Sequence, residues 1–126
     1  RRPAAVVTSS GTAVANLLPA AVEAATDGVP LLLITADRPY EDRDRGANQA
    51  IHQTDALKPH ARWFRDVPPP SDGGTARLAL EDVGHAFASA VKGMGPVHLN
   101  VQFKENLAPR GGKVRGTDSV EEFDYE

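Results

Sequence analysis

The side chains best suited to binding a polar ligand lie in residues 36–49, directly after an apolar run. Arg38 comes within two residues of that run and immediately precedes Pro39, which stiffens the backbone. A guanidinium fork held in one place suits a carboxylate ligand. Asn48 and Gln49 add uncharged donors and acceptors that could orient a polar substrate, although amides that only brace the loop would explain them equally well.

A second polar segment, the sequence SSGT at residues 9–12, follows the short apolar run of residues 4–8. Hydroxyl groups and free backbone N–H groups at the start of a helix can dock a polar ligand. An ordinary helix N-cap would account for the same residues and is the commoner case. Neither the P-loop pattern nor the GxGxxG pattern occurs in the chain, so the usual kinds of nucleotide binding are disfavoured.

The remaining residue types give little evidence of catalysis. The charged residues 41–45 are predicted to form a solvated connection whose opposite charges neutralise one another. With no cysteine and no GxSxG motif, the familiar nucleophiles have no candidate. The histidines lack the spacing of metal ligands, so packing or surface roles are favoured for them. They are His52, His60, His85 and His98.

Composition excludes several classes of protein. A chain of 126 residues, 40% hydrophobic and 25% charged, is typical of one soluble domain. Its longest apolar run, residues 29–36, is far shorter than the roughly 20 residues of a membrane helix, so no membrane span is predicted. The net charge of −3 gives no electrostatic basis for nucleic-acid binding. The absence of cysteine rules out disulfides and fits a reducing compartment.

Apolar runs and turn residues predict an α/β fold, a mostly parallel sheet with helices on both faces. Strands are predicted at residues 4–8, 30–35, 61–67 and 96–103, and helices at residues 12–26 and 75–92. Pro19 should kink the first helix or delay its start, because it removes one helical hydrogen bond. Ligands of such sheets bind at the carboxyl ends of the strands, where both polar segments are predicted to lie.

In two of these elements, apolar and polar residues are predicted to lie on different faces. Apolar residues recur at helical spacing through the second helix and form one face of an amphipathic helix. They are Ala76, Leu80, Val83, Phe87 and Val91. In the last strand, apolar residues alternate with polar ones, which predicts one less apolar face. The polar positions are His98, Asn100 and Gln102.

The composition changes after residue 104, where proline, glycine and basic residues give way to an acidic tail. The core domain is therefore predicted to finish near Leu107, with residues 108–126 forming a linker toward a missing central domain. Because the first residue is Arg1 and the only methionine is Met94, we also expect the chain to be a processed or cropped piece of a longer product.

Three blocks carry a family resemblance: TSSGTAVANLLPAAVEA at residues 8–24, PLLLITADRPYEDRDRGANQAIHQ at residues 30–53, and GPVHLNVQFKENL at residues 95–107. In this order and spacing they resemble the pyrimidine-binding domain of the MenD family. Its members are thiamine-diphosphate-dependent 2-succinyl-5-enolpyruvyl-6-hydroxy-3-cyclohexene-1-carboxylate synthases of menaquinone and phylloquinone biosynthesis. The doubled serine and the segment PPPSD are most similar to the MenD portion of the plant and algal multifunctional phylloquinone protein.

The resemblance implies an incomplete pyrimidine domain over residues 1–107, with a role for each matching position. The implied substrate-binding residues are Arg38, Asn48 and Gln49, and the implied cofactor-binding residues are Ser10, Gly11 and Thr12, with Thr12 lining the aminopyrimidine pocket. The catalytic glutamate of the family lies upstream of the first block, and its diphosphate and magnesium motif belongs to a separate domain. No catalytic residue and no metal ligand are therefore expected in this chain.

The resemblance also implies cofactors and partners. The family uses thiamine diphosphate and Mg²⁺ to decarboxylate 2-oxoglutarate and add the succinyl unit to isochorismate. Its cofactor lies between domains of two subunits, which implies a homodimer or higher oligomer for the full protein and an inactive fragment. The compartment would be the cytoplasm for a bacterial protein and the chloroplast for a plant or algal one.

Two other functions stay open on the sequence alone. One is a non-catalytic α/β binding or interaction module, and the other is a different thiamine-diphosphate carboligase such as acetolactate synthase. Acetolactate synthases usually carry TSGPGATN at the first block. This chain has Thr12, Ala13 and Val14 in place of that Pro-Gly pattern, which favours MenD.

Overall fold

The computed structural model describes residues 2–69 and 75–104. In these ranges a four-stranded sheet is formed by β1 (Ala4–Thr8), β2 (Leu31–Asp37), β3 (Trp63–Val67) and β4 (Pro96–Gln102), in the order β1-β2-β4-β3. All pairings are parallel, which confirms the predicted α/β fold. The predicted core end near Leu107 and the predicted linker of residues 108–126 lie outside the described residues.

The helices of the described residues are α1 (Thr12–Ala15), α2 (Leu18–Asp27), α3 (Gln53–Ala56) and α4 (Thr75–Gly93), and a 3-10 turn spans Tyr40–Asp42. The single helix predicted at residues 12–26 is divided into α1 and α2. Pro19 occupies the first turn of α2, where its missing N–H group is not needed. The prediction of a late start at Pro19 is therefore confirmed, whereas α3 and the 3-10 turn are too short to show a period in the sequence.

The core lies on both faces of the sheet. On one face Leu32, Val97 and Leu99 pack with Ala86 and Ala90 of α4. On the other face Leu33 packs with residues of the short helices and the segment after α3, namely Val14, Ala21 and Leu57. Successive side chains of a strand point to opposite faces, so the unbroken apolar run of β2 serves both cores.

The face of α4 that packs on the sheet differs from the predicted one. Ala86 and Ala90 are fully buried, while Leu80, Val83 and Val91 are 51%, 43% and 37% exposed. An apolar stripe normally faces the core. Here the small alanine side chains allow the helix to approach the strands closely, which rotates most of the larger apolar residues outward. The apolar face predicted from the sequence is therefore not the face of α4 that is buried against the sheet.

The polar face of β4, the strand between β2 and β3, is buried. His98 and Asn100 are fully buried, and Gln102 is only 6% exposed. The alternation predicted from the sequence is correct, but the less apolar face does not reach solvent. Buried polar groups must be hydrogen-bonded, so these side chains require partners inside the protein.

Candidate functional site at the carboxyl end of the sheet

The two polar segments predicted separately meet at the carboxyl ends of β1 and β2. We call residues 9–12 the SSGT turn and residues 38–49 the Arg38 loop. Gly11 has φ 76°, and a Cβ atom placed on it would lie 2.8 Å from the carbonyl oxygen of Gln49. Gln49 itself has φ 53°. Only glycine permits both this conformation and this approach, so the sequence of the turn allows the two segments to touch.

Arg38 is half-buried and is held by the backbone of its own loop. Its Nε and Nη2 atoms donate to the carbonyl oxygen of Asn48 at 3.2 and 3.1 Å. Its backbone N–H donates to Oδ1 of Asp37 at 2.8 Å. No carboxylate of the described residues pairs with this guanidinium. Arg38 is therefore fixed in place while its positive charge stays available to a ligand.

An open cleft of about 710 Å³ lies beside Arg38. The open cleft is lined by the basic residues Arg38, Arg45 and Lys104, together with Asn48, Phe103 and the acidic pair Glu41 and Asp42. Glu41 accepts from Nζ of Lys104 at 2.9 Å, and hydrogen bonding with that ammonium group lowers the pKa of Glu41. The two acids, Glu41 exposed and Asp42 half-buried, leave one basic side chain of the lining in excess, so the cleft is suited to an anionic ligand.

The SSGT turn offers uncharged polar groups at the same edge of the sheet. Ser10 and Gly11 are buried, whereas Thr12 is exposed. Gly11 is the N-cap residue of α1, and no side chain caps that helix by a hydrogen bond. The segment therefore does supply the N-cap residue of α1, as the alternative of an ordinary N-cap expects, but that residue caps the helix without a side-chain hydrogen bond. The hydroxyl of Thr12 accepts or donates no hydrogen bond within the described residues, so it remains free for a ligand.

Gln53, the first residue of α3, joins the SSGT turn to the sheet. It is 1% exposed. Its Oε1 accepts the N–H of Gly11 at 2.9 Å. Its Nε2 donates to the carbonyl oxygen of Ala36 at 2.6 Å and to Oδ1 of Asn100 at 2.7 Å. One side chain therefore bonds the turn after β1, the end of β2 and the middle of β4.

Thr35 and His98 extend this set of bonds into the sheet. The Thr35 hydroxyl donates to Oδ1 of Asn100 at 2.9 Å and lies 2.8 Å from Nε2 of His98. Because the hydroxyl hydrogen is used by Asn100, Nε2 of His98 must carry the hydrogen of the neutral ring. Nδ1 has no partner in the described part of the chain. Burial lowers the pKa of His98 from 6.5 to about 4, although the charge of Asp66 acts in the opposite direction.

Arg43 lies between the carboxylates of Asp37 and Asp66 and bonds both. Its Nη1 and Nη2 donate to Asp66 at 2.8 and 3.0 Å, and Nη2 lies 2.8 Å from Oδ2 of Asp37. Asn100 donates to both carboxylates, at 2.8 and 2.9 Å. The prediction that residues 41–45 are solvated is wrong for Arg43, whose side chain is 18% exposed. The guanidinium turns inward because Asp37, the last residue of β2, and Asp66, one residue before the end of β3, need a cation.

These bonds affect the pKa values of the charged members. Burial by itself would raise the pKa of Asp66, but hydrogen bonds from Arg43, Asn100 and Gln102 outweigh it and lower that pKa. The hydrogen bond with Asp66 raises the pKa of Arg43. We call this set, in which Arg43 and Asp66 are half-buried and the other members are buried, the polar network. Its members are Thr35, Asp37, Arg43, Gln53, Asp66, His98 and Asn100.

The structure brings some of the predicted site residues together and leaves others apart. Arg38 and Asn48 are bonded, and Gly11 lies against Gln49. No hydrogen bond among the described residues joins Arg38 to the SSGT turn directly. The side chains that connect the two segments belong to the polar network, which sequence reasoning missed. The polar residues that alternate along the predicted strand of residues 96–103 were the available signal.

No metal site is present in the described residues: they contain no group of three or more His, Asp or Glu side chains placed to hold an ion. This agrees with the donor set, since the acids of the polar network are already bonded to Arg43 and Asn100. The arrangement can therefore bind and orient polar ligands, and the described residues hold no cluster of metal ligands.

Comparison with known proteins gives consistent matches. Residues 1–57 match the family model described as "Thiamine pyrophosphate enzyme, N-terminal TPP binding domain". The chain is 54% identical over 110 residues to a 2-succinyl-5-enolpyruvyl-6-hydroxy-3-cyclohexene-1-carboxylate synthase of Salinibacter ruber, covering 86% of this chain and 19% of the relative. The same-named protein of Rubrobacter xylanophilus is 52% identical over 116 residues, covering 91% and 20%.

A plant relative is also similar. "Protein PHYLLO, chloroplastic" of Arabidopsis thaliana is 50% identical over 107 residues, covering 84% of this chain and 6% of the relative. The chain therefore spans about a fifth of the length of the two bacterial relatives and a smaller part of the plant one.

Proposed function

Because this chain belongs to the 2-succinyl-5-enolpyruvyl-6-hydroxy-3-cyclohexene-1-carboxylate synthase family of thiamine pyrophosphate enzymes, we propose that it supplies the pyrimidine-binding part of such a synthase. The whole protein would decarboxylate 2-oxoglutarate and add the succinyl unit to isochorismate. The observation that carries the proposal is the contact between Gly11 and Gln49. It brings the turn proposed for the cofactor and the loop proposed for the substrates into one site.

The SSGT turn fits the aminopyrimidine end of thiamine diphosphate. That ring is uncharged and needs hydrogen-bonding groups rather than counter-ions. The turn has no charged side chain, and it offers the free hydroxyl of Thr12 beside the uncapped start of α1. Ser10 and Gly11 shape the turn. The thiazolium of bound thiamine diphosphate supplies the carbon nucleophile and electron sink of the reaction.

The described residues do not fit the other end of the cofactor. A diphosphate with Mg²⁺ needs oxygen ligands for the ion, and the described residues lack a cluster that could supply them. We propose that Mg²⁺ and the diphosphate bind to a separate domain. The family's cofactor geometry then requires a second subunit, so a homodimer or higher oligomer is part of the proposal.

Arg38 is proposed to bind a carboxylate of isochorismate or 2-oxoglutarate in the open cleft. Its position is fixed by the carbonyl oxygen of Asn48, so little side-chain freedom is lost when a ligand binds. The exposed amides of Asn48 and Gln49 would orient hydroxyl or carboxylate groups beside it. The chain thus contributes binding and orientation, and no residue of it is proposed to transfer a proton.

Membrane association and cellular location add little to the proposal. No helix among the described residues has the length and apolar character to cross a bilayer. We propose a plastid location if the source is a plant or alga, as the name of the Arabidopsis relative suggests for that protein, and the cytoplasm if the source is a bacterium.

Turnover by the full-length protein tests the proposed function. With thiamine diphosphate, Mg²⁺, 2-oxoglutarate and isochorismate, we expect carbon dioxide release and formation of the synthase product, measured by mass spectrometry. Pyruvate in place of 2-oxoglutarate should give no product above background. A product from pyruvate alone would favour an acetolactate synthase, and the absence of turnover with every substrate would favour a non-catalytic binding module.

A further inference from the structure

We propose that Gln53 is a positioning residue that holds the SSGT turn at a fixed distance from the strand end carrying Arg38. The inference rests on the proposed function, since it assigns the turn to the cofactor and Arg38 to a substrate. Gln53 lies in neither predicted binding segment and need not contact either ligand. Its effect would act through the backbone that it bonds at each end.

The two ends of the Gln53 amide bond different parts of the site. Oε1 accepts from the N–H of Gly11, inside the turn. Nε2 donates to the carbonyl oxygen of Ala36, two residues before Arg38 along β2. Among the described residues, no other side chain hydrogen-bonds both the SSGT turn and β2. Gln53 therefore ties the turn to the end of β2 by a side chain, beyond the last residue pair of the β1–β2 ladder, Thr8 and Thr35.

Only an amide of this length satisfies the site. Gly11 presents a donor, whereas Ala36 and Asn100 present acceptors, so the side chain needs an acceptor at one end and two donors at the other. A glutamate would face two acceptors without a donor. A methionine of similar volume would remove the partner of the Gly11 N–H and one donor from each of the two acceptors, although Asn100 would keep the bond from Thr35. The requirement is for hydrogen bonding as well as for volume.

The close packing of the turn makes its position sensitive to this bond. Gly11 has no room for a Cβ atom beside the carbonyl of Gln49. A shift of the turn toward the Arg38 loop is therefore blocked by contact, and a shift away from it is opposed by Gln53. Loss of Gln53 would free the turn in one direction only, away from the segment proposed to bind substrate.

Gln102 provides a matched control, because it is also a buried glutamine that accepts a backbone N–H. Its Oε1 accepts from the N–H of Tyr40 at 2.9 Å, and no hydrogen bond of the described residues joins it to the SSGT turn. It is 6% exposed, against 1% for Gln53. Replacing either glutamine with methionine removes one buried amide of the same size. Only the change at Gln53 removes a bond to the turn.

The test measures thiamine diphosphate binding to the full-length protein by calorimetric titration in the presence of Mg²⁺, with melting temperatures recorded for each variant. Gln53→Met is expected to raise the Kd for thiamine diphosphate about tenfold, the size of one lost buried hydrogen bond. Gln102→Met is expected to change that Kd less than twofold, even where it lowers the melting temperature as much. Equal changes in Kd for the two variants, or none for Gln53→Met, would overturn the proposal.

A second variant decides the matter if Gln53→Met does not fold. Gln53→Asn keeps the amide but is one methylene shorter, so it cannot reach both Gly11 and Ala36. It should also weaken cofactor binding by at least about threefold, whereas an unchanged Kd would reject the role of Gln53. Failure of the unaltered protein to bind thiamine diphosphate would instead reject the proposed function. The two ideas therefore fail through different measurements.

Discussion

Arg38 and Arg43 lie in the same loop and have opposite surroundings. Arg43 is enclosed by the carboxylates of Asp37 and Asp66, at distances of 2.8 Å to each. Arg38 bonds only a backbone carbonyl and borders the open cleft. An arginine that is bonded to carboxylates of the protein stabilises the fold. An arginine without such a partner is able to bind the carboxylate of a ligand.

The same contrast separates the polar network from the open cleft. Asp37 is 4% exposed and Asn100 is fully buried, so these groups exchange hydrogen bonds with one another and not with water. Glu41 and Lys104 in the cleft form an exposed pair, which contributes little to stability because water and salt screen it. The predictions below use this contrast, beginning with the largest expected effect.

Replacing Arg43 should cost the most stability. Arg43→Met leaves the carboxylates of Asp37 and Asp66 close together without their cation. Removing one partner of a buried ion pair costs about 3 kcal/mol, because the remaining charge stays desolvated. The free energy of unfolding of the full-length protein, measured in urea, should fall by about that amount.

Arg45→Met is the control for this change, since Arg45 is exposed in the same loop. It removes the same charge and should alter the free energy of unfolding by less than about 0.5 kcal/mol. Equal losses for Arg43→Met and Arg45→Met would mean that the net charge of the loop matters and that the ion pairs with Asp37 and Asp66 do not.

His98 should make stability depend on pH through the polar network. Its pKa in the folded protein is lowered from 6.5 to about 4 by burial. As the pH falls below 6.5, His98 becomes protonated in the unfolded chain, whereas in the folded chain it stays neutral until about pH 4. Stability should therefore be lost between these values, by up to about 3 kcal/mol. Urea unfolding across this pH range measures the loss.

Two histidine variants test the source of that pH dependence. His98→Gln removes the titrating ring and should flatten the curve of unfolding free energy between pH 4 and 6.5. His52→Gln should leave the slope unchanged, because the His52 side chain is 84% exposed. A slope that persists in His98→Gln would assign the acid sensitivity to other groups.

Much of the fold could be predicted because strand and helix periods are local. The apolar run of β2 and the helical spacing of apolar residues through α4 both appear in the sequence, and the parallel sheet follows from the alternation of strands and helices. The buried face of α4 could not be predicted in the same way. Ala86 and Ala90 carry less apolar surface than Leu80, and their advantage is a close approach to strands that the local sequence does not contain.

The site was predictable to a smaller extent, for the same reason. Arg38 is recognisable from its place after a buried strand and before a proline. Arg43 looks like any surface arginine in the sequence, because the acid that buries it, Asp66, belongs to a strand far along the chain. Gln53 is likewise defined by Gly11 and Asn100, which only the folded sheet brings together. Long-range pairing, not residue type, decides these roles.

Replacing Arg38 should cost much less stability than replacing Arg43 and should give a clear loss of function. Arg38→Met removes bonds to one backbone carbonyl, so unfolding should become easier by less than about 1 kcal/mol. The KM for isochorismate or 2-oxoglutarate should rise, or kcat should fall, about tenfold or more, as expected for a lost charge-assisted bond. Steady-state kinetics and urea unfolding of the same preparation give both quantities.

Comparing the Arg38 and Arg43 variants tests whether one arginine binds a ligand while the other stabilises the fold. Arg38→Lys should recover only part of the lost activity, because an ammonium group cannot bond both the Asn48 carbonyl and a carboxylate with the geometry of a guanidinium fork. Unchanged kinetics in Arg38→Met would reject the substrate role. A stability loss as large as that of Arg43→Met would show that Arg38, despite its single backbone partner, is a structural residue as well.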